Sequence, residues 1–144
     1  LLSNIVAISL KKAIQSDWNF ILELRNSDFQ YFYEQNEPIS RENHYKYLEN
    51  HTSKSDFYHW IILSDEKSVG YIRILNQDVG IMIQKEYQNK GFASIALELL
   101  EKEAKNLRIK KLIALIHPKN IGSEKIFENN GYNLKLLQLE KVIK

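Results

Sequence analysis

The stretch that decides the fold is Gln88-Asn89-Lys90-Gly91-Phe92-Ala93-Ser94, which lies between a predicted strand and a predicted helix. Such a loop presents consecutive backbone N–H groups, and the start of the helix adds a partial positive charge. Gly91 lets the backbone approach a ligand closely, and the small Ala93 leaves room for it. The Walker pattern G-x-x-x-x-G-K-[ST] is absent. The segment predicts a pyrophosphate site or, as the simpler alternative, an ordinary turn before a helix.

Helix and strand alternate on the C-terminal side of this loop. The apolar run 111–116 is typical of a strand buried on both faces, and His117-Pro118 ends it. Gly131 has the position of a helix C-terminal cap. The predicted elements are a helix over 91–106, a strand over 111–116, a helix from an Asn120 cap to about Asn129, and a strand from Tyr132 onward.

On the N-terminal side, hydrophobic periodicity and capping residues predict a strand, two helices and three antiparallel strands. Asn76-Gln77 is predicted to be a two-residue hairpin connection. The elements are a strand over 4–10, a helix after Ser16-Asp17, a helix after Ser40, and strands over 57–63, 69–75 and 78–83. This order predicts an α/β (α+β) fold with a mixed, mostly antiparallel sheet and helices on both faces.

Composition excludes several classes of protein. The 144 residues are predicted to form a single domain, 1–144. Twenty Lys and Arg against 18 Asp and Glu give a net charge of +2, which does not indicate a nucleic-acid partner. No apolar run is long enough for a membrane span, and no signal peptide is recognisable. The absence of Cys fits the cytoplasm, and the spacing of the His residues predicts no metal site.

The second informative segment runs from Asn120 to Tyr132 (NIGSEKIFENNGY). Its residues also suit a simple capped helix. Together, however, Q-x-x-G-x-A after a strand and, about thirty residues later, N-x-x-S-x-x-I-F-E-x-x-G-Y resemble the GNAT superfamily of acetyl-coenzyme-A-dependent N-acetyltransferases. The resemblance covers nearly the whole chain, because the order of elements also matches.

The resemblance implies a sheet of six to seven strands whose fourth and fifth strands splay apart to hold the pantetheine arm of acetyl-CoA. The loop around Gly91 would then hold the pyrophosphate. Asn120 would reach the pantetheine arm from the other side, and Ser123 and Phe127 would line its thiol end. The implied cofactor-binding residues are Ile81, Met82, Ile83, Gln88, Asn89, Lys90, Gly91, Phe92, Ala93, Ser94, Asn120, Ser123 and Phe127.

The implied reaction is direct acetyl transfer to a primary amine, which needs a base for the amine's proton. Asp78 is the candidate, because related enzymes often carry Glu in an E-x-G pattern here. The hairpin register places Arg73 diagonally across from Asp78, so a structural ion pair that lowers the pKa of this carboxylate is the alternative. Phe127 replaces the Tyr that many GNAT enzymes use as the acid for the departing thiolate.

The acceptor side is assigned to Arg25, Asn26, His44 and Arg73. Arg25 suits a phosphate and His44 a sugar or base, with the aromatic stretch 31–33 available for stacking. The alternatives are an Arg25–carboxylate pair and a surface His44. The segments 25–26 and 42–48 are similar to those of enzymes that acetylate nucleotide-linked amino sugars. They are also similar to those of enzymes that acetylate ribosomal-protein N-termini.

The preferred acceptor is therefore a nucleotide-linked amino sugar, with a protein N-terminus as the alternative. A non-catalytic acetyl-CoA-binding module is a third hypothesis, which the weak base and Phe127 favour. The apolar residues after Tyr132 leave room for one long strand or two very short ones. A last family strand that is absent, or supplied by a second subunit, would favour a homodimer.

Overall fold

In the part of the chain that the structure describes, four antiparallel strands form the sheet, and each pairs with the next one along the chain. The computed structural model of the chain describes residues 7–27 and 37–144, so the aromatic stretch 31–33 lies outside the described residues. Only the end of the predicted first strand falls within them, and that strand continues two residues further than predicted. The strands are β1 (Ile8–Lys12), β2 (Phe57–Ser64), β3 (Lys67–Leu75) and β4 (Asp78–Ile83).

Two-residue hairpins join β2 to β3 and β3 to β4. Asn76 and Gln77 have φ values of 47° and 73°, and Asp65 and Glu66 have 48° and 73°. Two successive positive φ angles define the turn whose twist matches that of the flanking strands. The β3–β4 register follows, with Leu75 opposite Asp78, so the predicted hairpin is confirmed.

Among the described residues, four α-helices cover the sheet: α1 (Trp18–Ser27), α2 (Arg41–Thr52), α3 (Phe92–Asn106) and α4 (Ile121–Asn129). The predicted caps of α2 and α4 are confirmed. The Ser40 side chain accepts from the Asn43 N–H at 3.2 Å, and Asn120 Oδ1 accepts from the Ser123 N–H at 3.2 Å. The predicted cap of α1, Ser16-Asp17, lies instead in a short 3₁₀ turn that precedes the helix.

The helices lie on both faces of the sheet, as predicted. One core joins α1 and α2 to β2 and β3, with Ile21, Leu48 and Ile61 almost completely buried. The other joins α3 and α4 to the opposite face through Ile72, Leu100 and their neighbours. Burying an aliphatic side chain of this size contributes about 1.5–3 kcal/mol, so each helix pair is held mainly by its apolar stripe.

The predicted strand over 111–116 is wrong in extent. This segment meets β4 at a single parallel bridge between Asp78 and Ile113. The Val79 N–H donates to Ile113 O at 2.8 Å, and the Ile113 N–H donates to Gln77 O at 2.8 Å. The strand was predicted because an apolar run suggests burial on both faces. Leu115 is exposed, however, so this segment is not buried on both faces.

The predicted strand from Tyr132 onward is also wrong. Gly131 ends α4 with φ +89°, and the Tyr132 N–H donates back to Phe127 O at 3.1 Å, which confirms the predicted cap. Beyond it the structure assigns no strand up to Lys144. Within the described residues the sheet therefore has four strands instead of six to seven. The homodimer stays a prediction.

Candidate functional site

The edge of β4 opens after Val79. The two-residue hairpin makes Leu75 and Asp78 a hydrogen-bonded pair, and alternation along the ladder then directs the backbone groups of Val79 and Ile81 away from β3. Val79 bonds to Ile113, but no corresponding bond joins Ile81 to residues 114–116 in the part of the chain that the structure describes. The strand therefore presents Ile81 backbone groups to a gap.

The register distinguishes the three residues that were predicted to bind pantetheine. Ile81 and Ile83 direct their backbone groups outward, whereas Met82 pairs with Tyr71 across the ladder. Ile83 O already accepts from Gln88 Nε2 at 2.9 Å. Ile81 is thus the residue of β4 whose polar backbone best suits an extended ligand arm.

Gly91 forms the left-handed turn that starts α3. Its φ is +82°, and a Cβ built on it would meet nothing within 4 Å, so the space in front of the turn is open. The first hydrogen bond of the helix runs from the Ile95 N–H to Gly91 O. The N–H groups of residues 92–94 therefore have no helical acceptor and face the same end. This geometry fits the pyrophosphate of acetyl-CoA.

The other residues of the loop have separate roles. Asn89 has a φ of 61° and, with Lys90, is exposed, whereas the Phe92 side chain belongs to the core. Ser94 Oγ accepts from Asn130 Nδ2 at 3.0 Å, which ties the start of α3 to the end of α4.

Phe127 is a core residue in this structure. It is buried, and its ring meets Tyr132 edge-to-face at 4.9 Å. Burial and the nearby Glu101 raise the pKa of Tyr132 to about 12. Tyr132 therefore keeps its hydroxyl proton at neutral pH. Ser123 is half-buried in the first turn of α4, and Asn120 caps that turn.

Asp78 and Arg73 form the ion pair that the hairpin register predicted as an alternative to the base. Arg73 Nη1 lies 3.3 Å from Asp78 Oδ2 and 3.1 Å from Asp78 O. Both side chains are partly buried, so the pair is more strongly coupled than an exposed one. Arg73 also covers Gly80, whose added Cβ would lie 2.9 Å from the Arg73 Cζ.

Two of the predicted acceptor residues meet between α1 and α2. Arg25 Nη1 is 3.3 Å from His44 Nδ1, and the Arg25 guanidinium lies 4.9 Å above the centre of the Tyr47 ring. Asn26 has a structural role, since its amide donates to Ile39 O at 3.0 Å and accepts from the Ile39 N–H at 2.8 Å. These bonds join α1 to the residues that lead into α2.

Two aromatic residues, Tyr47 and Tyr71, lie at this site but were not among the predicted acceptor residues. Tyr47 lies three residues after His44, and helical spacing alone could have placed both on one face of α2. Tyr71 is buried beneath the helices, where its hydroxyl is 2.9 Å from His59 Nδ1. Burial raises the pKa of Tyr71 and lowers that of His59 to about 4.

A groove of about 320 Å³ opens between α1 and the residues after β4. Its lining carries Glu23, Glu86 and Lys85, so its charges are mixed. Within residues 7–27 and 37–144, no group of three or more His, Cys, Asp and Glu side chains is placed to hold a metal ion. None of the helices described combines the length and apolar character needed to cross a bilayer.

Solved structures of other proteins share this fold. The spermidine N-acetyltransferase of Vibrio cholerae, solved with CoA and spermine, superposes with a TM-score of 0.82 at 18% identity, covering 94% of this chain and 86% of that one. RimL, a ribosomal L7/L12 alpha-N-protein acetyltransferase solved with CoA, gives a TM-score of 0.76 at 15% identity, covering 89% and 81%. At these identities the likeness shows the fold.

Sequence comparison identifies the family. An uncharacterized protein of Methanocaldococcus jannaschii is 28% identical over 137 residues, covering 87% of this chain. The chain spans only 28% of the length of that relative. The profile of the acetyltransferase (GNAT) domain matches residues 8–133, which contain all the described helices and strands. The chain therefore belongs to the GNAT acetyltransferase family, whose enzymes use acetyl-CoA.

Proposed function

We propose that the chain is an N-acetyltransferase that transfers an acetyl group from acetyl-CoA directly to a primary amine. The observation that carries this proposal is the opening of the sheet after the Asp78–Ile113 bridge, together with the left-handed Gly91 turn that starts α3. The gap offers Ile81 backbone groups to an extended arm, and the turn offers N–H groups to a pyrophosphate. When bound, acetyl-CoA would supply the thioester from which the acetyl group is transferred, with the gap and the Gly91 turn as the parts of the chain that would hold it.

Asp78 is the proposed base. It is the first residue of β4, at the closed end of the gap, and its carboxylate is held by Arg73 at 3.3 Å. A base at this position accepts the amine's proton directly or through water, and a positioned base contributes about 10²–10⁴-fold. Arg73 orients the carboxylate, while the Asp78 side chain remains partly accessible to solvent.

The leaving thiolate needs no protein acid in this proposal. Phe127 has no proton to give, and Tyr132 keeps its proton because its pKa is raised to about 12. A thiol of pKa about 8.5 leaves as thiolate at pH 7 at a cost of roughly 2 kcal/mol, which a positioned backbone N–H on the carbonyl oxygen offsets.

The preferred acceptor is a nucleotide-linked amino sugar. Arg73 pairs with Asp78 and supplies one guanidinium group, and Arg25 supplies another. Burial is the main cause that lowers the pKa of Arg25, and repulsion by the charge of Arg73 is a smaller cause in the same direction, opposed by Tyr47 and Tyr71. Two cations favour an acceptor that carries phosphate and disfavour a polyamine. A protein N-terminus is the second acceptor, and a non-catalytic acetyl-CoA-binding module is the alternative function.

A thiol-release assay tests the proposal. The purified chain is given acetyl-CoA with a nucleoside-diphosphate-linked amino sugar, a peptide with a free N-terminus, or spermidine. We expect free thiol with the amino sugar first, and coenzyme A should raise the melting temperature. If coenzyme A raises the melting temperature but no amine causes release of free thiol from acetyl-CoA, the result would support the non-catalytic binding module. The absence of both effects would overturn the proposal.

A further inference from the structure

The imidazole of His44 is fully buried between α1 and α2. Its exposed fraction is 0%, and it is the buried polar side chain of the described core. A direct hydrogen bond from this ring to an acceptor would require the two helices to separate. The ring therefore acts on the site through the residues that it contacts, Trp18 and Arg25.

These two contacts determine the proton position on the ring. His44 Nε2 lies 2.8 Å from the carbonyl oxygen of Trp18, which can only accept, so Nε2 carries the hydrogen. In the neutral ring Nδ1 is then an acceptor, and Arg25 Nη1 donates to it at 3.3 Å. Burial lowers the pKa of His44, although the bond to Trp18 O opposes this effect. A neutral ring with the proton on Nε2 satisfies both partners.

The guanidinium of Arg25 is thereby held from two directions. Tyr47 lies under its face at 4.9 Å from the ring centre, and His44 accepts from one of its edges. Stacking and a directed hydrogen bond restrict an arginine that would otherwise sample many rotamers. Arg25 remains partly exposed, so it is held in place without being sealed from solvent.

We propose that His44 is a positioning residue: its neutral, Nε2-protonated ring holds the Arg25 guanidinium toward a phosphate group of the acceptor. The inference rests on the proposed function, because it names how that same site recognises its acceptor. Arg73, from β3, supplies a second positive charge, which is paired with Asp78. Thus α2 contributes to acceptor recognition through a side chain that touches no acceptor.

Kinetics of paired variants test this role with a nucleoside-diphosphate-linked amino sugar as the probe. His44→Phe removes the acceptor for Arg25 and should raise the KM for the sugar about tenfold, the effect of losing one charge-assisted hydrogen bond. The kcat and the KM for acetyl-CoA should stay within about twofold. His44→Asn, whose amide oxygen replaces Nδ1, should recover most of the loss.

Arg25→Gln provides the control background. In it, His44→Phe should produce no further rise in the KM for the sugar, because the group that His44 positions is gone. The proposal would be overturned if His44→Phe raised the KM for the sugar equally in wild type and in Arg25→Gln. It would also be overturned if His44→Phe lowered only the melting temperature, because either result would show a merely structural role. An unchanged KM in the folded His44→Asn and His44→Phe proteins would overturn it as well.

A spectroscopic measurement separates this proposal from the enzyme assignment. In ¹⁵N-histidine spectra at pH 7, His44 should show a protonated Nε2 and an unprotonated Nδ1. A protonated Nδ1 would overturn the inference. If no amine releases thiol, the proposed function fails, and calorimetry with the nucleoside diphosphate alone decides the positioning role. Equal Kd values for wild type and His44→Phe would then exclude it.

Discussion

Arg73 lies across Gly80, its partner on the neighbouring strand, so closely that a Cβ on Gly80 would be 2.9 Å from the Arg73 Cζ. The missing side chain at residue 80 is what lets this guanidinium reach Asp78. Gly70, ten residues earlier, is also crowded, but by the backbone oxygen of Met82 at 2.5 Å. The two glycines therefore differ in what an added methyl group would displace.

Gly80→Ala and Gly70→Ala should separate activity from stability. In Gly80→Ala the flexible Arg73 end moves aside, so thiol release should fall while the melting temperature changes little. In Gly70→Ala a backbone atom must shift, which should cost about 1–3 kcal/mol of unfolding free energy. Chemical denaturation and the thiol assay measure the two effects. Equal losses of stability would contradict this account.

Gly91→Ala should weaken coenzyme A binding. Its φ of +82° disfavours alanine, and the strain costs about 1 kcal/mol. Gly131 is the matched control, with φ +89° and equally open space. Both variants should lose similar stability, but only Gly91→Ala should reduce the rise in melting temperature that coenzyme A produces. A reduced rise in both would place the effect outside the turn.

Asp78→Asn should lower kcat by about 10²-fold or more if Asp78 takes the amine's proton. The amide keeps the size of the side chain but cannot accept that proton at neutral pH. Asp65→Asn is the control, since Asp65 Oδ1 accepts from the Ala7 N–H at 3.1 Å in the first hairpin, away from the gap. Near-normal activity of Asp78→Asn across the pH range would remove Asp78 from the mechanism.

The stability of the fold should fall in mild acid through His59. Its pKa in the folded chain is lowered to about 4, mainly by burial, so the unfolded chain takes up the proton first as the pH falls below 6.5. Above pH 6.5 the folded chain keeps its full free energy of unfolding. On the order of 2–3 kcal/mol of that free energy is lost as the pH falls from 6.5 toward 4. His59→Asn, which retains a hydrogen-bonding group for Tyr71, should show a shallower dependence in denaturant unfolding. Identical pH slopes would contradict the assignment.

Local signals predicted the helices and hairpins well, because caps and turns are set by neighbouring residues. Ser40, Asn120 and Gly131 each have the predicted capping role, and Asn76-Gln77 fixes the β3–β4 register. The Arg25–His44 contact could not be predicted from the sequence, because it depends on how α1 packs against α2. The strand over residues 111–116 was predicted wrongly, because an apolar run does not reveal that one of its sides stays exposed to solvent.

The apolar residues beyond Tyr132 have a practical consequence. Leu134, Leu136, Leu137 and Leu139 are between 74% and 95% exposed. An exposed apolar surface of this kind favours adsorption and aggregation. Rates should therefore be compared at several dilutions in detergent-free and detergent-containing buffers, so that losses to adhesion are not mistaken for weak turnover.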